Sequence, residues 1–305
     1  MKKLISGLCL CILFCGIVTA AYSDGFHVPS DYPTIQDAIN ETGSGSDKIF
    51  LDPNYLHTVL NVEAVSKHDI VITSDPDISG TAVIYAEEGD SWVLRFLYCS
   101  EITIENVRFE AAYSYYNNGG RSMIDIGDCN NCSILDNQIV YNGTYNDLDY
   151  AINIVNSNYI YIRENYIDNF YYGIHERSES YGYWGAHDYT NNTIWGCTDG
   201  ILWEQYTDTQ RPRFWNNDIY WAYNGVNAYP YNDNYSYRLY FSTHGNNFWW
   251  NRYPIWARGD FKKTTVYHSN NYYQRCRDRF LMDENKVDRV DLLGDSWYKC
   301  DNRLP

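Results

Sequence analysis

Four side chains of this 305-residue chain are the candidates to move protons or hold cations: Asp125, His175, Arg177 and Glu204. Taking a proton from the carbon beside a carboxylate requires a base such as His or Arg, and a cation that neutralises the carboxylate. His175 and Arg177 are the candidate bases or clamps. Asp125 and Glu204 are the candidate acids or calcium ligands. These residues are far apart in the chain, so they act together only if the fold brings successive segments into register.

The sequence contains such a device. Strand-like segments begin at asparagine in "ENVRF" (Asn106), "DNQIV" (Asn137), "ENYID" (Asn165), "NNTIW" (Asn192), "NNDIY" (Asn217), "NNFWW" (Asn247) and "NNYYQ" (Asn271). The gaps are 31, 28, 27, 25, 30 and 24 residues. A repeat of this length with alternation inside each unit defines a β-solenoid. A second beat follows at Ile174, Ile201, Val226, Ile255 and Phe280, three of them preceded by Gly173, Gly200 and Gly225. Asparagines stacked about 4.7–4.9 Å apart would form an amide ladder that pairs turn backbone groups. Glycine would supply a positive φ or a close backbone approach at a corner.

With the second-beat residues inward, each following residue faces outward. That row holds Asp125, Asn153, His175, Leu202, Asn227 and Trp256, and a second holds Arg177, Glu204, Tyr229 and Arg258. Asn153, Asn227, Tyr229, Trp256 and Arg258 are the expected binding residues. A slip of one residue would instead turn Glu176 and Trp203 outward. Arg177 and Glu204 hold corresponding positions in neighbouring coils, where a plain surface ion pair also accounts for them.

The repeat resembles the right-handed parallel β-helix proteins of the pectin-lyase-like superfamily, over nearly all the chain after residue 20. "VPSDYPTIQDAIN" (Val28 to Asn40) is similar to the opening of that family, where a short amphipathic helix caps the first coil. Ile35, Ala38 and Ile39 would face the core. "KIFLDPNYL" resembles the family's first strand and turn. The implied fold is all-β, a single-stranded right-handed parallel β-helix with a short N-terminal capping helix. The resemblance leaves activity open, because the superfamily holds lyases, hydrolases, esterases and adhesive proteins. "CTDGI" (Cys197 to Ile201) is similar to the polygalacturonase Asn-Thr-Asp-Gly stretch but lacks its Asn, and "STHGNN" is a poor match to Gly-His-Gly. The Gly-Arg-Pro-Trp motif of pectin methylesterases and the Arg-x-Pro-x-x-Arg signature of pectate lyases are absent.

Met1 to Ala20 reads as a signal peptide, with Lys2 and Lys3 before an apolar run and small residues at its end. Residues 21–305 then form one β-helix domain, secreted or held at the cell envelope, with no later transmembrane segment. Removing the two lysines takes the formal charge from −16 to −18, which argues against nucleic acid as a partner. The chain has 32 Tyr and 10 Trp, more than a core needs, and such rings stack on sugars. Loops such as "RSESYGYWGAHDY", with Trp184 near the tip, suit a glycan. Cys276 and Cys300 are placed to bridge adjacent coils, and Cys99 to pair with Cys129 or Cys132. Sequons occur at Asn40, Asn131, Asn142, Asn191 and Asn234. The expectation is an exported protein that binds a polysaccharide or glycan without cleaving it. The alternative is a polysaccharide lyase or glycoside hydrolase using the outward sheet, with calcium as a candidate cation.

Overall fold

The computed structural model describes residues 25–43, 46–59, 61–86, 92–111, 121–143, 149–178, 187–205, 212–230, 238–257, 263–276, 281–282, 289–293 and 296–298. The described strands form three parallel sheets of 11, 10 and 9 strands, called A, B and C here. The chain visits them in turn: Ser133–Leu135 in A, Gln138–Tyr141 in B, Tyr150–Val155 in C, then Tyr161–Arg163 in A again. Each strand pairs in parallel with its counterpart one coil away. The fold is therefore an all-β parallel solenoid with very little helix.

The aliphatic period sets the register. In sheet C, Ile152, Ile174, Ile201, Val226 and Ile255 stack in line. In sheet B the stack is Ile139, Ile167, Ile194, Ile219, Phe248 and Tyr273. All of these are fully buried, and each such side chain contributes about 1.5–3 kcal/mol by leaving water. Sheet A changes from aliphatic to aromatic, Ile134 and Ile162 giving way to Tyr189 and Phe214. Glu176 and Trp203 point inward and are buried, so the register has not slipped.

The amide ladder exists, with two positions corrected. It runs through Asn137, Asn165, Asn192, Asn217, Asn246 and Asn271, each Nδ2 donating to the next Oδ1 at 2.8–3.1 Å. Each Oδ1 also accepts the backbone N–H of the preceding member. Asn247 is one residue beyond the ladder. Asn106 is one before it, at φ 52°, and Val107 takes the ladder position, its N–H donating to Asn137 Oδ1. Gly173 and Gly200 serve close approach: a Cβ there would lie 2.6 and 2.7 Å from the carbonyl oxygens of Gly200 and Gly225.

Helix α1 (Ile35–Glu41) caps the first coil with Ile35, Ala38 and Ile39 buried, and Thr34 Oγ1 accepts from the N–H of Asp37. One strand, Phe26–Val28, precedes the segment expected to be first and pairs with it.

The expected pairing of Cys99 with Cys129 or Cys132 is not present: all three are free, as is Cys197. Their thiols serve as corner hydrogen-bonding groups. Cys129 Sγ accepts from the N–H of Cys99 at 3.3 Å, and one coil on Ser157 Oγ accepts from the N–H of Cys129 at 3.0 Å. Hydrogen bonding from Cys129 lowers the Cys99 thiol from its ordinary value. Cys300 and residues 1–24 lie outside the described residues.

Candidate functional site

Sheet C assembles most of the expected residues. Asp125, Asn153, His175, Leu202, Asn227 and Trp256 form one outward row, and Arg177, Glu204 and Tyr229 another. Arg258 and Trp184 lie outside the described residues, as does the side chain of Tyr229. The row is continued by Arg95 and Glu63, beyond the residues expected from the sequence.

These side chains form one chain of ion-pair and hydrogen-bond contacts across the coils. Arg95 Nε lies 3.0 Å from Asp125 Oδ2, and Asn153 Nδ2 donates to Asp125 Oδ1 at 2.7 Å. The Asn153 carbonyl then faces His175 Nδ1 at 2.8 Å, and His175 Nε2 lies 3.0 Å from Glu204 Oε2. With its amide group given to Asp125, Asn153 offers His175 an acceptor, so Nδ1 carries a hydrogen. His175 Nε2 and the Glu204 carboxyl then form a hydrogen-bond contact. Tyr150 stacks on the imidazole at 4.8 Å and 17°.

Although it points out of the coil, this face is not open. Asp125 and Glu204 are each 9% exposed, His175 4% and Asn227 0%. Burial pushes the Asp125 carboxyl above the usual range, against the opposing effects of Asn153 and Arg95. Asp199, the acid of the "CTDGI" stretch, accepts from Asn224 and, at 2.9 Å, from Asn227 Nδ2. It thereby ties two coils together.

The carboxyl spacing does not fit the paired acids of glycoside hydrolysis. Asp125 and Glu204 are three strands apart in sheet C, about 14 Å along the axis, whereas such pairs lie about 5–9.5 Å apart. Among the described residues no group of three or more His, Cys, Asp and Glu is arranged to hold a metal ion.

A second surface is exposed. Trp195 (41%), Trp221 (41%) and Tyr223 (42%) stand out of sheet B and the corner leading to sheet C. Trp195 lies 5.3 Å from Tyr220 and 6.4 Å from Trp221, and Trp221 stacks on Trp250 at 4.9 Å and 8°. Tyr220 leads to Trp249, and Trp249 to Tyr272. Arg275 sits over Trp250, and Arg252 over Tyr223 and Tyr253. Tyr253 contacts Trp256 at 5.4 Å, which joins this aromatic strip to the outward face of sheet C. Its only signal in the sequence was the excess of Tyr and Trp.

Three parallel sheets with a helical cap define a parallel β-helix. By sequence, no family model and no curated protein matches the chain. By structure it is similar to a polygalacturonase from Erwinia carotovora ssp. carotovora, at 10% identity and a TM-score of 0.59, over 90% of this chain and 96% of that one. It is less similar to ORF18 of Geobacillus virus E2, with a TM-score of 0.48 at 10% identity over 86% and 57% of the two chains. For a pectin methylesterase in complex with a hexasaccharide the TM-score is 0.39 at 9% identity, over 82% and 78%. At these identities the likeness is one of fold.

Proposed function

We propose that this is an exported protein that binds a polysaccharide without cleaving it, holding the chain along the aromatic strip from Trp195 to Tyr253 and onto Trp256. The observation that carries the reading is the exposure of indole and phenol rings over consecutive coils, beside a polar face whose own groups bind one another. A solenoid repeats its surface at each coil, which suits a ligand that repeats too. Tyr and Trp offer both an apolar ring and a hydrogen-bonding edge. The apolar run at residues 4–18 supports export. The test is retention on immobilised polysaccharides, compared between the natural protein and Trp221→Ala; unchanged retention would overturn the reading.

A second reading keeps the outward face of sheet C as the site of a polysaccharide lyase, since the carboxyl spacing disfavours the glycoside hydrolase alternative. The buried His175 and Glu204 pair favours it, because an imidazole and a carboxyl group oriented at hydrogen-bond distance are the groups that acid or base work uses. In that reading Glu204 exchanges the proton, His175 orients it, Arg177 clamps an acidic group, and Asp125 assists from two coils before His175. Calcium would enter as a cation neutralising a sugar carboxylate. New chain ends that disappear in Glu204→Gln would favour this reading over simple binding.

A further inference from the structure

Inside the coil, among the inward-facing stacks, lies a polar cluster that neither reading uses. Glu176 points inward from the sheet C strand Tyr172–Arg177, and Tyr189 points inward from the sheet A strand Asp188–Thr190, with His187 immediately before it. Glu176 is 2% exposed, and His187 and Tyr189 are 0% exposed. The Tyr189 hydroxyl contacts Glu176 Oε2. Glu176 Oε1 lies 3.3 Å from His187 Nε2, yet neither atom has a hydrogen-bond partner, because the alignment is wrong for one. Ser178 Oγ, just past the end of that strand, is also buried and unpartnered.

We propose that Glu176, His187 and Tyr189 are the ligands of a first-row transition-metal cation such as zinc. A carboxylate, an imidazole and a phenol from two facing strands supply three donors of mixed N and O type, which suits zinc rather than calcium or magnesium. A separation of 3.3 Å is what two ligands of one tetrahedral ion show when each bond is about 2.0 Å. A cation there would pair the orphaned carboxylate oxygen and the orphaned imidazole nitrogen at once. Solvent or Ser178 would fill the remaining position. The ion would tie sheet A to sheet C within a single coil.

The test uses the full chain expressed with zinc in the medium and freed of loosely held metal by gel filtration. Elemental analysis should find about one zinc per chain. Chelator-treated protein should gain thermal stability when zinc chloride is restored, and cobalt chloride should produce visible absorption bands that His187→Gln lacks. Should His187→Gln fail to fold, the natural protein alone decides the matter. Folded natural protein with no bound metal, no zinc-dependent shift in Tm and no cobalt bands would overturn the proposal, leaving a neutral hydrogen-bonded cluster.

Discussion

His175 Nε2 lies 3.0 Å from Glu204 Oε2, while the other ring nitrogen faces Asn153 Oδ1 at 2.8 Å. Both nitrogens are engaged by side chains from neighbouring coils, so the imidazole has no nitrogen to offer a ligand. In the binding account the pair holds strands together. Glu204→Gln should therefore destabilise the protein by about 1–3 kcal/mol in denaturant unfolding, while leaving polysaccharide retention unchanged. A loss of retention or of cleavage with full stability would mean that the pair works on a ligand.

The amide ladder should be the costliest polar feature to interrupt. Asn192 donates to Asn217 Oδ1 and to the carbonyl of Ile162, and it accepts the N–H of Asn165. Asn192→Ala leaves buried backbone and amide groups unpaired, at about 1–3 kcal/mol for each. Equilibrium unfolding should show a loss of several kcal/mol, and Asn247→Ala, one residue off the ladder, a much smaller one. Equal losses would contradict the assigned ladder.

Asp125 gives a prediction with a defined sign. Burial raises its carboxyl pKa in the folded state. The stability tied to that raised value is fully present below the unfolded value of about 3.9 and is lost as pH rises through the folded one. Asp125→Asn removes the dependence. The Tm of the variant minus that of the natural protein should become more positive from about pH 3 to about pH 7. A flat or falling difference would show that Arg95 and Asn153 outweigh burial.

Gly200 tests the close approach of coils. An added Cβ would meet the carbonyl oxygen of Gly225 at 2.7 Å and Ile219 Cγ2 at 2.9 Å. Gly200→Ala should cost about 1–3 kcal/mol through overpacking. Gly196, at φ 64° with no atom nearer than 3.7 Å, should respond through backbone strain, about 1 kcal/mol. Chemical unfolding of the two variants checks the order.

The period of the apolar residues made the coils and the inward register of sheet C legible, since Ile174, Ile201, Val226 and Ile255 leave one consistent alignment. Asn247 was misplaced by one because "NNF" offers two adjacent amides, and only the backbone decides which turns inward. The partners of His175 come from coils 22 and 29 residues away, so their contact follows from stacking, which no local motif announces. The aromatic strip was hidden for another reason. Trp221 and Trp250 sit at φ 56° and 59°, turn positions where sequence statistics favour Asn or Gly. Sequence alternation also separates in from out but not covered from open, which is why the buried polar row looked like the ligand face.

The most direct test of the account is retention of the natural protein and of a Trp195→Ala, Trp221→Ala double variant on a panel of plant, algal and bacterial polysaccharides, with and without calcium, while counting new chain ends. The account predicts that at least one polysaccharide retains the natural protein, that the variant binds about tenfold more weakly, a loss of about 1.4 kcal/mol, with its Tm unchanged, and that no chain ends form. Equal retention of the two proteins, retention of neither, or chain ends that vanish with Glu204→Gln would contradict it.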